Sequence, residues 1–361
     1  MSKEKKNPFL KILKTLLFLL IISVILFTVL LVFFLVTDYN PADKESIAVI
    51  GTAEKEISTG ETFKIVTWNV GHCTFGDNAD FFTEGGKSVT PSSKKRTEEN
   101  LDSIVSFIKS ENPSIVFLQE TDVSSDLSHR INEAESFRDT FDGFSSTFAY
   151  NFKVAFLPYP IPPLGKTASG IMTLSEFKIE NAERIQLPIP FKWPVSMISS
   201  KKCLSVSRLP VKGADKELVL VNLQLEAYDS DEDEISQTLA LKDFLEEEYA
   251  EGNYVIAGGD FNQVFSSKYT KTNKLPVSKE KSREIDVSAF NDGCQFLTDE
   301  SVPSCRSLDR PFEGADPDEF GYYLSDGYIV SENVKVASVI TKDLKFVNSA
   351  HNPVILEFIL D

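Results

Sequence analysis

Six polar residues stand where apolar runs stop. Asn69 closes Phe63-Lys-Ile-Val-Thr-Trp-Asn69, and Glu120 closes Ser114-Ile-Val-Phe-Leu-Gln-Glu120. Asp260 and Asn262 follow Tyr254-Val-Ile-Ala-Gly-Gly. Asp326 leads into Gly327-Tyr-Ile-Val-Ser331, and His351 stands just before Pro353-Val-Ile-Leu-Glu-Phe358. Asp260 and Asn262 are two apart, so in extended chain they share a side. Gly258 and Gly259 let the backbone turn and something approach closely. A carboxylate and an amide at the end of a buried strand are placed for polar chemistry. Each residue alone has a plainer reading: a turn Asn, a strand leaving the core, a surface or satisfied histidine. One arrangement repeated at several strand ends argues that those ends converge.

The elements that must position these groups follow from periodicity. Leu101, Ile104, Val105 and Ile108 recur at helical spacing, predicting a helix from Lys95 to Ser110 that Asn112-Pro113 stops. A short helix is expected over 131–142. A further helix runs to Ala250, with Leu241, Phe244, Leu245 and Tyr249 on its apolar face. The acids from Asp229 to Glu234 suit its N-terminal turn. Strands are expected at Ser145–Tyr150, Gly170–Ser175, Cys203–Arg208, Leu218–Leu225 and Val334–Thr341. Asn222 and Gln224 lie in the fourth of these. Residues 76–94, the proline-rich 156–165 and the polar 265–285 read as loops. Strands alternate with helices in places and follow one another in others, which argues an α/β sandwich of mixed sheets.

The 361 residues carry a net charge of −17, enough chain for one large domain or two small ones. The first 36 residues stand apart. Five lysines precede the uncharged run Thr15–Val36, long enough for one membrane crossing. The run exceeds a typical signal-peptide core, and no small-residue cleavage site follows it. The expectation is a cytoplasmic tail over 1–14, a signal anchor over 15–36, a stalk over 37–60 and one domain over 61–361. The lysines predict the N-terminus inside and the domain outside, in the cell membrane. Residues 1–36 carry +4, leaving −21 on the remainder. So acidic a domain is a poor grip for nucleic acid unless a cation mediates. Four cysteines without CxxC spacing and three histidines disfavour a Cys/His zinc site. Cys294 and Cys305 could bridge, or all four could be scattered buried thiols.

Thr67-Trp-Asn69, Leu118-Gln-Glu120, Gly259-Asp260-Phe-Asn262, Asp326 before its strand, and His351-Asn-Pro-Val occur in that order across residues 63–358. Together they resemble the motifs of the endonuclease/exonuclease/phosphatase superfamily. Gly252-to-Gln263 and Asp326-to-Ser331 are similar to a membrane-anchored bacterial branch of it. The resemblance implies a four-layer α/β sandwich: two packed mixed β-sheets flanked by helices, with a site at one end. It implies cleavage of a phosphodiester or phosphomonoester assisted by Mg²⁺ or Mn²⁺, with Ca²⁺ as an alternative. The substrate could be nucleic acid, a phospholipid head group or a small phosphoester. By this resemblance Glu120 and Asn69 supply metal oxygens, and Asp260 orients or deprotonates water. Asn262 donates to phosphoryl oxygens, Asn222 and Gln224 contact substrate, and Asp326 pairs with His351. Two positions depart from the family pattern: Gln224 stands where His is usual, and Ala350 where Asp is usual. The alternative is therefore a degenerate member that binds a phosphate-containing ligand without turnover.

Overall fold

The computed structural model describes residues 8–226, 237–269, 283–290 and 293–361. A long apolar helix, α1 (Pro8–Thr37), comes first, and no residue of it is buried. Three short strands follow: β1 (Lys44–Ser46), β2 (Ile50–Gly51) and β3 (Ile57–Ser58). The segment expected to be a stalk is thus woven into the domain, pairing with strands of both sheets.

Then come β4 (Thr62–Asn69), α2 (Lys94–Glu111), β5 (Ile115–Asp122), α3 (Glu133–Thr140), β6 (Ser145–Leu157) and β7 (Gly165–Ser175). β8 (Asn181–Gln186), β9 (Cys203–Lys212), β10 (Glu217–Gln224), α4 (Gln237–Ala250) and β11 (Tyr254–Asp260) continue the chain. The last elements are β12 (Cys294–Leu297), β13 (Cys305–Arg306), β14 (Tyr322–Tyr323), β15 (Asp326–Ser331), β16 (Val334–Thr341) and β17 (Val354–Leu360). Ser93 caps α2 by accepting from the Arg96 N–H, and Asn112 ends it in a left-handed conformation. The expected acidic turn 229–234 lies outside the described residues, as does most of the polar insert.

One sheet runs β16-β17-β4-β5-β7-β6-β2, the other β1-β8-β9-β10-β11-β15-β12, with β3 beside β9. Both are mixed: β4 and β5 are parallel, as are β10 and β11 and the short β3 with β9, and the other neighbours are antiparallel. The side chains alternate as a half-buried pleat demands. Phe63, Ile65, Ile115 and Phe117 of one sheet meet Leu218, Leu220, Ile256 and Tyr328 of the other in the central core. The opposite face of the first sheet packs Trp68, Val116 and Leu118 against Leu101, Ile104 and Ile108 of α2 and Phe137 of α3. The opposite face of the second packs Val219, Val221 and Val255 against Leu241 and Leu245 of α4. The layers are helix, sheet, sheet, helix, as expected.

Strand β8 escapes sequence reading because Asn-Ala-Glu-Arg-Ile-Gln has neither β-branched density nor apolar alternation. Its Arg184 is nevertheless buried, donating to the carbonyls of Tyr150 (3.0 Å) and Lys201 (2.7 Å). All four cysteines carry free thiols, so Cys294 and Cys305 do not bridge.

Candidate active site

The inner faces of β4, β10, β11 and β15 end in Asn69, Gln224, Asp260 and Asp326. Strand direction brings them to one end of the sandwich. β4 runs parallel to β5, and β10 to β11, so all four C-termini lie there. β15 runs the other way, and its first residue, Asp326, pairs directly with Asp260. β17 is antiparallel to β4, so the loop carrying His351 arrives at the same place.

Glu120 reaches this end by a different route. Regular alternation would send Gln119 inward and Glu120 toward α2. A register shift between Leu118 and Thr121, with Glu120 at φ 52°, turns the carboxylate to the mouth of the seam. A left-handed glutamate is strained backbone, held by its contacts. Glu120 Oε1 accepts from Gln224 Nε2 (2.6 Å) and Asn69 Nδ2 (3.2 Å). Its Oε2 lies 3.4 Å from His72 Nε2. Burial alone would raise its pKa, but His72, Lys202 and His351 outweigh that and hold it below the usual carboxylate range.

Asn69 bridges the two halves of the site. Its Nδ2 also donates to Asp260 Oδ2 at 3.0 Å, and its Oδ1 accepts the Gly71 N–H at 3.0 Å. The oxygen expected to face a metal thus accepts one backbone N–H and keeps a second lone pair. A flipped amide would set its NH₂ against that N–H, so the observed orientation is the satisfied one.

Asp260 Oδ1 accepts the N–H of Asn262, which is itself left-handed at φ 49°. Asn262 Nδ2 donates to the Leu225 carbonyl at 2.8 Å, which leaves its second amide hydrogen available. The turn needs glycine. At Gly259, φ is 151°, and a Cβ would sit 1.9 Å from the Leu223 carbonyl oxygen.

Buried Asp326 pairs with half-buried His351, whose Nδ1 lies 2.9 Å from Oδ2 and 3.1 Å from Oδ1. Burial pushes the imidazole pKa down, but Asp326, Cys305 and Asp260 prevail and hold it well above the ordinary value. His351 Nε2 faces the Cys305 sulfur at 3.4 Å.

Two donor sets could hold a cation. Glu120 is ionised and partly open to solvent, a hard oxygen ligand of the kind Mg²⁺ and Mn²⁺ take. Asp260, Asp326 and His351 offer three ligand atoms within 4.8 Å of one another. The same three groups, a histidine between two carboxylates, are also an arrangement that can hold and pass a proton. Ala350, where a further carboxylate was expected by resemblance, packs with Phe75, Leu127 and Leu308 in a small apolar cluster.

The structure does not bring Asn222 to the site opening. It is completely buried between the sheets, donating to the Met172 carbonyl (2.8 Å) and accepting from Gln119 (2.8 Å). Gln224 is at the site, and its Oε1 accepts from Lys202 Nζ (2.7 Å) and Asn151 Nδ2 (3.1 Å). Sequence reading missed Lys202 and Asn151, which carry no local signal. It also missed His72, three residues after Asn69. His72 Nδ1 meets Asp122 Oδ1 at 2.9 Å, and Asp122 in turn accepts from Ser128. Burial lowers the His72 pKa, but Asp122, Glu120 and Glu133 raise it to about 9.

Two mixed sheets packed face to face, with acids and a histidine at the strand ends, define a class of metal-assisted phosphoesterase folds. Residues 66–272, more than half the chain, match the model of the endonuclease/exonuclease/phosphatase family. The chain belongs to that family. Among solved structures it resembles an endonuclease/exonuclease/phosphatase from Beutenbergia cavernae at 16% identity and a TM-score of 0.57. That match covers 83% of this chain and 72% of the other. A family protein from Leptotrichia buccalis matches at 15% identity and a TM-score of 0.52, covering 82% and 99%. These likenesses concern the fold. No curated protein matches the sequence.

Proposed function

We propose that this chain is a membrane-tethered, outward-facing phosphoesterase of the membrane-anchored branch of its family. It hydrolyses a phosphodiester or phosphomonoester with the help of a divalent cation. The observation that carries this reading is the meeting of Glu120, Asp260 and the Asp326–His351 pair at one end of the sandwich, joined through Asn69.

Glu120 is the residue that would hold Mg²⁺ or Mn²⁺, kept ionised by the cationic side chains around it. Such an ion, when bound, polarises a phosphoryl oxygen and neutralises developing charge. Asp260 is fixed at both oxygens, by Asn69 and by the Asn262 N–H, and accepts the proton of an attacking water. The free amide hydrogen of Asn262 donates to a phosphoryl oxygen. His351, kept protonated by Asp326, binds the phosphate or protonates the departing oxygen. Gln224 can donate a hydrogen bond but cannot carry charge. The apolar α1 supplies the tether, and the lysines before it favour an inside N-terminus.

The test is hydrolysis of a generic phosphodiester and a phosphomonoester by the full chain in detergent, with Mg²⁺, Mn²⁺ or Ca²⁺. Turnover abolished by chelator, by His351→Ala and by Asp260→Ala is the expected result. Metal-independent turnover, or full activity in both variants, refutes the assignment. Protease added to intact cells should remove the domain.

A second reading, a family member that binds a phosphate-containing ligand without cleaving it, draws on one observation. Ala350 offers no oxygen, and its surroundings are apolar. Calorimetric binding of a phosphoester with no turnover under any metal, and turnover appearing in Gln224→His, would favour it.

A further inference from the structure

The end of the sandwich that carries the candidate site also carries the most exposed apolar loops among the described residues of the domain. β7 pairs Ser169 with Asp122 of β5, so the β6–β7 turn over 158–164 projects beyond the site end. β9 pairs Leu204 with Leu223 of β10, one residue from Gln224. β8 ends where β9 begins, with Gln186 opposite Cys203, so the connection over 187–202 projects the same way. Tyr159 is 67% and Ile161 94% exposed in the first loop, Trp193 63% and Val195 51% in the second.

The tether enters at this end too. β1 runs antiparallel to β8 with Lys44 opposite Ile185, so residues 38–43 lie beyond the Gln186 end. The Asp43 carbonyl accepts the Gln186 N–H at 2.8 Å. Tyr39 packs on the Tyr150 ring, and Asp38 lies 3.9 Å from Lys201 Nζ. The turn Val195–Ile198 lies beside α1 itself. Only six residues separate α1 from β1, and several of them are docked on the domain. A link of this length spans about 20 Å even when fully extended. The domain therefore cannot turn its site end far from any bilayer that α1 crosses.

The loop chemistry suits a bilayer surface. Aromatic rings with a polar edge collect at the membrane interface. Four prolines between 158 and 163 and three between 188 and 194 bring no N–H that would need a partner away from water. Lys153 and Lys192 are exposed beside these loops and can meet lipid phosphates.

We propose that these two loops seat in the headgroup boundary of the membrane that α1 crosses. The site is thereby presented to phosphoester head groups of the same leaflet. The docking rests on α1 spanning a membrane, and the substrate class rests on the phosphoesterase reading.

The sequence holds two tryptophans, and Trp68 is buried in the domain, so Trp193 reports the loop. The full chain is reconstituted in phosphatidylcholine vesicles bearing brominated acyl chains, and flotation confirms insertion. Quenching of tryptophan emission that disappears in Trp193→Phe is expected. Inserted protein without such quenching overturns the docking. In a second arm, Ile161→Asp combined with Trp193→Asp is assayed on a vesicle phospholipid and on a water-soluble phosphodiester. Lipid turnover is expected to fall at least about tenfold, with soluble turnover held within about twofold. An equal fall on both substrates, or no fall on lipid, overturns head-group presentation. Cleavage of neither substrate by the unaltered chain, with quenching intact, removes the phosphoesterase reading and leaves the docking standing.

Discussion

Replacing Asp326 with asparagine tests the acid–base pair most directly. The change keeps the side chain's shape and removes its charge. In the structure both carboxylate oxygens lie within 3.1 Å of His351 Nδ1, with Asp326 buried and His351 half-buried. Two unit charges about 4 Å apart in an effective dielectric of about 20 attract by about 4 kcal/mol. Burial of the imidazole opposes that attraction, and in the native protein the attraction prevails. Without it, burial is left facing the weaker help of Cys305 and Asp260. The His351 pKa should then fall back toward the ordinary imidazole value of about 6.5. A general acid lost at neutral pH costs on the order of 10²–10⁴ in rate. Asp326→Asn should therefore lose activity to that extent at pH 7.5 and recover part of it as pH falls toward 6. Initial-rate profiles from pH 5.5 to 9 on a soluble phosphodiester, beside thermal melts to confirm folding, make the comparison. A folded variant that keeps the native rate and pH profile would show that Asp326 does not govern the charge on His351. Equal loss at every pH would assign Asp326 a role apart from that proton.

Three further outcomes follow from the geometry. His72 has a folded pKa of about 9, above its unfolded value, so the stability it adds is complete below about pH 6.5 and is lost as pH rises through 9. In chelator, the stability gap between the native chain and His72→Gln should shrink by up to about 3 kcal/mol between pH 6 and 9.5. Urea titrations measure it, and a gap independent of pH would contradict the charge assignment. Gly259→Ala drives a Cβ into the Leu223 carbonyl and should destabilise by roughly 2–4 kcal/mol, a midpoint shift visible in the same titrations. Ala350→Asp sets a carboxylate among Phe75, Leu127 and Leu308. It should cost roughly 2–5 kcal/mol in denaturant melts instead of creating a better site, and a stability-neutral variant would mean the cluster is wetter than its packing implies.

Much of the site was legible because local patterns carry it. An apolar run ending in glycines and then Asp260 and Asn262 can be read from propensity and turn chemistry alone. The same holds for Asn69 after Trp68 and for Asp326 before its strand, because each polar group directly adjoins the buried segment that orients it. The helix from Lys94 to Glu111 followed from apolar spacing and its Asn112 stop. The apolar run of α1 was equally plain, since twenty-odd uncharged residues leave few alternatives.

What stayed hidden depends on pairing between segments far apart in the chain. Alternation sends Glu120 outward, and only the irregular pairing of β5 with β7 turns it to the site. Asn69 looks like an oxygen donor, and only the fold shows that same oxygen accepting the Gly71 N–H. Asn222 looks like a ligand contact until the first sheet closes over it. His72, Lys202 and Asn151 have no motif, because their positions are set by which strands neighbour which. The supposed stalk reads as polar linker because edge strands of two or three residues are too short to show a period. The proline-rich 156–165 could be read as a loop from composition, but not as a loop beside the candidate site. Sequence determines what each strand end offers. Sheet register, a property of pairs of strands, decides which ends meet and which way they face.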